Sequence, residues 1–138
     1  MKAIVLYYSF GGKTRTIAKA IAQKESAEIA EIVAAKRCGK LKAYTAGIIA
    51  AIRGNAWPIL PLDVNLADYD RLILLSPIWA DNTPPAFNAI LGLLPEGKSI
   101  ELKMVSMSGK NNCKTRLEAA IKAKKCILES FEDINSKT

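Results

Sequence analysis

Ser9, Gly11, Gly12, Lys13 and Thr14 stand close together in YYSFGGKTRTIA, residues 7–18, and those types at that spacing suit the capture of a phosphate. Two glycines permit a tight turn with free backbone N–H groups, hydroxyls and an ammonium flank it, and a following helix would present the positive end of its dipole. Gly-Gly-Lys-Thr also suggests a nucleoside triphosphate loop, which needs Gly, four residues, then Gly-Lys-Ser/Thr. Counting back from Gly12 puts the first glycine at position 7, and that residue is Tyr7. No later strand ends in an aspartate able to hold magnesium, since RLILLS closes on Ser76. A single dianion fits better than a chain of phosphates, and the plain alternative is a tight turn with a solvated Lys13.

A second stretch, SPIWADNTPPA at 76–86, places Trp79 just beyond an apolar run. In open α/β sheets ligands bind at the carboxyl edge of the strands. A large aromatic in a loop there is costly to expose without a use, and next to a phosphate loop it can stack on a planar ring. A third stretch, SMSGKNN at 106–112, follows another strand and offers small residues and backbone donors. Taken alone it reads as a turn.

The elements that must position these loops follow from periodicity. Ala3 to Tyr8 is a continuous apolar run, the mark of a strand buried on both faces. Ile17, Ala18, Ile21 and Ala22 recur at helical spacing over 14–23. Residues 27–35 fit helix or strand, and an edge strand is predicted because it completes a right-handed crossover onto the first. KLKAYTAGIIAAIRG predicts a helix with Leu41, Tyr44, Ile48 and Ile52 on its inner face and Gly54 as its stop. Residues 71–77 predict a strand, and Pro84 and Pro85 open a helix with Phe87, Ile90, Leu91 and Leu94 inward. Residues 100–108, 113–124 and 126–132 read as strand, basic helix and strand. The alternation predicts one α/β domain over residues 1–138 with a parallel, doubly wound sheet.

A chain of 138 residues suffices for one domain with a real core. Cys38, Cys113 and Cys126 are widely spaced and contain no Cys-x-x-Cys pair, so reduced thiols and a cytoplasmic location are expected. The apolar start is followed by Lys13, Arg15 and Lys19, which favours a buried strand over a secretion signal, and no run has membrane length. There is no histidine, so hydrolytic or metal chemistry loses its commonest agent and cofactor chemistry gains. A formal charge of +7 favours anionic partners.

The three loops together resemble the flavodoxin family. The first is similar to its Ser/Thr-x-Thr-Gly-x-Thr phosphate loop, YDRLILLSPIWADNTPPA to its flavin-stacking loop, and VSMSG to its third flavin loop. The resemblance covers nearly the whole chain, KLKAYTAGIIAAIRG included. It implies a three-layer α/β sandwich with a five-stranded parallel sheet in the order 2-1-3-4-5, and FMN as cofactor. It implies that Ser9, Gly11, Gly12, Lys13 and Thr14 hold the phosphate. Trp79 would stack on the flavin with Pro77, Ile78, Ala80 and Asp81 around it, and Ser106, Met107, Ser108 and Gly109 would meet its polar edge. Gly11 departs from the family, standing where a hydroxyl is usual. Ala80 departs too, since a glycine often follows the tryptophan, and a β-carbon there disfavours φ > 0.

The function implied is an electron carrier working through FMN, with neither nucleic acid nor membrane as partner; the net charge of +7 also departs from the family, many of whose members are acidic, so redox proteins of acidic surface are expected from the charge and not from the resemblance. The basic helix at 113–124, with Lys110, is the predicted border of the docking face. An NAD(P)H-dependent quinone reductase-type flavoenzyme and a binding module that has lost flavin remain open. Small size, no added substrate domain and no visible nicotinamide site favour the carrier.

Overall fold

The computed structural model of the chain describes residues 2–36, 39–109 and 111–136, so Cys38 and Lys110 lie outside the described residues. Five strands form one sheet: β1 (Ala3–Tyr7), β2 (Glu28–Glu31), β3 (Arg71–Pro77), β4 (Ser99–Ser106) and β5 (Ile127–Asn135). Their order is β2-β1-β3-β4-β5, and every neighbouring pair is parallel. The edge strand predicted within 27–35 is therefore present, but it covers only Glu28–Glu31. The last strand runs three residues beyond the predicted Glu132, to Asn135.

The central strands are apolar without alternation because both faces are covered. Val5, Tyr7, Ile73 and Leu75 meet Ala18 and Ala22 of α1 (Lys13–Glu25) on one face. On the other, Ile4, Leu6, Leu72, Leu74, Leu102 and Met104 meet Phe87 and Ile90 of α4 (Pro85–Gly92) and Leu117 and Ile121 of α5 (Lys114–Ala123). The two faces are separate apolar clusters, the three-layer arrangement expected. Beyond β3 on the α1 side ion pairs replace a helix: Arg71 pairs with Glu101 and Glu25, and Lys103 with Glu132 at 2.8 Å. Glu101 and Lys103 alternate along β4 with the apolar Leu102 and Met104, so the same strand is oily on one face and charged on the other.

Residues 40–53 form one helical stretch in three parts: α2 (Lys40–Lys42), a π-helical turn over Ala43–Gly47, and α3 (Ile48–Arg53). The predicted inner face is corrected here. Leu41 is 81% exposed and Ile52 50%, Ile48 is half-buried, and of Tyr44 only the backbone is described. Ala43, Gly47, Ala50 and Ala51 are buried instead. A π turn inserts an extra residue and rotates the register, and small residues let the helix approach the loop after β3 more closely than leucine would allow. Arg116 of α5 donates to the carbonyls of Ala51 (3.0 Å), which also accepts from Gly54 N–H, and of Ile52 (2.8 Å), tying the end of α3 to α5, and Gly54 stops the helix at φ 70°.

Candidate functional site

The first loop connects β1 to α1, and its shape comes from one hydrogen bond: Gly12 N–H donates to Ser9 Oγ at 3.0 Å. Gly12 sits at φ 94°, a conformation glycine takes without steric cost, and it is the N-cap of α1. The N–H groups in a helix's first turn have no intrahelical partner, and here no side chain caps them and no acid lies in that turn. Thr14 is 3% exposed and Lys13 is exposed, so a hydroxyl and an ammonium flank the same open helix end. Arg15, the next cation, is held away by Glu31 at 2.7 Å. The geometry is that of an anion seat.

The loop after β4 repeats the device. Gly109 N–H donates to Ser106 Oγ at 2.9 Å, and Gly109 has φ 71°. Gly12 and Gly109 thus spend their N–H groups on loop shape. Ser9 and Ser106, having accepted, each retain an O–H to donate outward.

The loop after β3 is a two-residue turn closed by reciprocal bonds. Trp79 N–H donates to Asn82 O at 2.7 Å and Asn82 N–H to Trp79 O at 3.0 Å. Ala80 (φ 49°) and Asp81 (φ 63°) both lie in the left-handed region, the pattern of a type I′ turn that ordinarily selects Asn-Gly. Ala80 thus adopts the conformation that its β-carbon disfavours. The tight closure imposes that conformation, and Asn82 Nδ2–H adds a bond to the Ala80 carbonyl at 2.9 Å. Trp79 is half-buried, perpendicular to Phe10 at 5.6 Å and edge-on to Tyr8 at 6.2 Å between centroids.

These loops enclose a cleft of about 200 Å³ at the carboxyl edge of the sheet. It brings together Gly11, Lys13, Thr14, Pro77, Ile78, Trp79, Ser106 and Met107 of the residues singled out in the sequence. Ser9, Gly12 and Gly109 shape the loops behind it. Ala80 lines an adjoining apolar cleft of about 250 Å³ with Phe10, Ala43, Ile48, Ile78 and Trp79, while Asp81 is exposed and lines neither. Ser108 lines neither cleft.

No family model matches the sequence and no curated protein does. Solved structures do. A Bacteroides eggerthii protein provisionally assigned as a flavoprotein superposes with a TM-score of 0.81 at 19% identity, covering 99% of this chain and 89% of that one. A Lactobacillus acidophilus flavoprotein in complex with FMN gives 0.73 at 17% identity, covering 94% and 91%. Oxidised flavodoxin 2 from Bacillus cereus gives 0.56 at 16%, covering 95% and 82%. The fold is flavodoxin-like.

The cleft also contains residues that the sequence reading passed over. Phe10, 38% exposed, lies inside the phosphate loop itself and shares a wall with Trp79; an aromatic between Ser9 and Gly11 was the available signal. Val105 ends the buried part of β4. Ser136 arrives because β5 is long, and its N–H donates to Ser106 O at 2.8 Å. Cys113, at the N-cap of α5, is not part of the cleft. Burial pushes its thiol up to about 11, and its Sγ donates to Asn111 Oδ1 at 2.9 Å. Among the described residues no group of acids or cysteines is arranged to hold a metal, and no helix is long and apolar enough to cross a membrane.

Proposed function

We propose that this flavodoxin-like protein binds FMN in the cleft and serves as an electron carrier. The observation that carries the reading is an uncapped helix end, flanked by Lys13 and Thr14, opening into the same cleft as the half-buried Trp79. An anion seat beside an aromatic wall is what a phosphorylated, planar cofactor requires. The Lactobacillus acidophilus neighbour was crystallised with FMN, which supports the same ligand.

Lys13, Thr14 and the first-turn N–H groups of α1 would hold the phosphate, with the free O–H of Ser9 available beside them. Trp79, Ile78 and Met107 would flank the ring, and Ser106 would offer its O–H at the polar edge. Bound there, FMN supplies the one- and two-electron chemistry. The chain's own part is to bind, to orient and to keep water from the Trp79 side. No side chain in the cleft is required as an acid or base.

The carrier reading is the simpler one, because FMN alone supplies the redox chemistry and no side chain in the cleft has to act on a second substrate. Its partner is taken to be an acidic redox protein, because the net charge is +7. Part of the predicted docking helix is engaged internally. Arg116 caps α3, Lys114 lies 3.8 Å from Glu118, and Lys125 lies 4.0 Å from Glu96, which leaves Lys122 and Lys124 as the helix's cations with neither an ion pair nor a side-chain capping role among the described residues. The absorption spectrum of the purified protein, with extraction of released flavin, tests the cofactor: colourless protein that FMN cannot reconstitute removes it. Anaerobic mixing with NADPH tests the role. Slow bleaching without a second protein supports the carrier, and rapid bleaching supports the reductase.

A further inference from the structure

Residues 32–62, between Glu31 and Asp63, contain no carboxylate side chain and carry Lys36, Arg37, Lys40, Lys42 and Arg53. Two parts of this stretch fold against each other. Ala35 N–H donates to Pro58 O at 2.9 Å, Leu60 N–H to Val33 O at 2.8 Å, and Ala34 pairs antiparallel with Ile59. Trp57 N–H donates to Pro85 O at 3.0 Å, which anchors the indole at the start of α4. A cleft of about 230 Å³ results, lined by Ala34, Ala35, Lys36, Lys42, Trp57 and Pro58. It shares no residue with the two clefts around Trp79, although the consecutive Lys42 and Ala43 line one cleft each.

The walls are apolar apart from two lysines. Lys36 and Lys42 are exposed and make no ion pair among the described residues. Lys42 Nζ lies 5.2 Å from the centroid of Trp57, so its charge is held at the cleft by a contact that is weak at an exposed site and cheap to exchange. A half-buried indole, three small apolar residues and two cations with no competing acid define the ligand by chemistry.

We propose that this cleft is a second small-molecule site, for a one- or two-ring aromatic anion carrying a carboxylate or a phosphate. The ring lies against Trp57, Ala34 and Pro58, and the anionic group meets Lys36 and Lys42. The site stands independently of the flavin reading, because it uses none of the flavin cleft's residues.

The chain has two tryptophans, so the ¹⁵N-labelled protein gives two indole Nε1–H resonances, and Trp57→Phe assigns them. Titration with 2-naphthoate and with 2-naphthyl phosphate should shift the Trp57 resonance saturably. Whichever anion binds tighter identifies the headgroup, and neutral 2-naphthol should bind about tenfold more weakly than either. Lys42→Met should weaken the anions about threefold, and Lys36→Met with Lys42→Met about tenfold, on the scale of exposed charge pairs. Both lysines are exposed, so retained dispersion of the other resonances confirms the fold. No shift at Trp57, a shift confined to Trp79, equal binding of 2-naphthol, or indifference to both lysine substitutions would each overturn the proposal.

Discussion

A β-carbon placed on Gly47 would lie 2.8 Å from Cζ3 of Trp79. The helix bearing Gly47 and the aromatic wall of the proposed flavin cleft are thus in contact with no space for a methyl group. Gly47 has φ −66°, so an alanine there is not strained by its backbone.

Gly47→Ala therefore separates two effects. Helix propensity favours alanine by about 1 kcal/mol, while displacing Trp79 costs about 0.5 to 1.5 kcal/mol in rotamer strain. Thermal stability should stay within about 1 kcal/mol of the parent on those two opposing magnitudes. FMN affinity should still fall, by about 1 kcal/mol, because part of a stack of this kind, about 1 to 3 kcal/mol in full, is lost. Unchanged affinity in a fluorescence titration would show that the ring does not lie against Trp79.

Gly11 and Gly12 are adjacent yet predict opposite outcomes. Both have open space where a β-carbon would stand, but only Gly12 lies at positive φ. Gly11→Thr should restore the hydroxyl usual in the family and tighten FMN binding by up to about 1.5 to 3 kcal/mol, the scale of a hydrogen bond to a charged group. Gly12→Ala should destabilise the fold by about 1 to 2 kcal/mol through left-handed strain. Calorimetric titration of the first and chemical denaturation of the second check the pair, and equal behaviour would contradict the loop geometry.

Ala80 is held at φ 49° between the reciprocal hydrogen bonds of Trp79 and Asn82. Ala80→Gly should therefore stabilise the protein by about 1 kcal/mol, the left-handed penalty less the entropy that glycine adds to the unfolded chain. Urea denaturation measures it. A loss of stability would mean that the turn differs in solution.

Cys113 is buried, with its thiol raised to about 11 chiefly by desolvation. The neutral form is favoured by folding, so this contribution is complete below the ordinary thiol range near pH 9 and is lost as pH climbs from about 9 towards 11. Native protein at pH 8 should react with a disulfide reagent at Cys113 only on the timescale of unfolding. Rapid labelling at that position would refute its burial.

Much of this was legible in the sequence for physical reasons. A strand buried on both faces has no alternation, so residues 71–77 could be bounded to the residue, and the crossover rule identified an edge strand within 27–35 where propensity could not, though the strand proved to be only Glu28–Glu31. The loops were visible because glycine, serine and an isolated tryptophan have few other reasons to sit at strand ends. The inner face of 40–53 was not legible. Helical periodicity assumes a uniform pitch, and the π turn over Ala43–Gly47 breaks it. The closeness of Gly47 to Trp79 is a tertiary fact with no local signal, and the charged outer face of β4 became interpretable only once Arg71 and Glu101 were seen together.

The central claim is that the end of α1 receives the phosphate of a flavin nucleotide, and it is tested most directly by titrating the apoprotein with FMN and riboflavin side by side. FMN should bind at least tenfold more tightly, because one charge-assisted contact of about 1.5 to 3 kcal/mol already supplies that ratio. Lys13→Ala and Thr14→Ala should shrink the ratio while leaving riboflavin affinity within about twofold, since an exposed ammonium and a short hydroxyl at the phosphate touch little of the ring's binding energy. Equal affinity for the two ligands, or equal losses for both in the variants, would contradict the account.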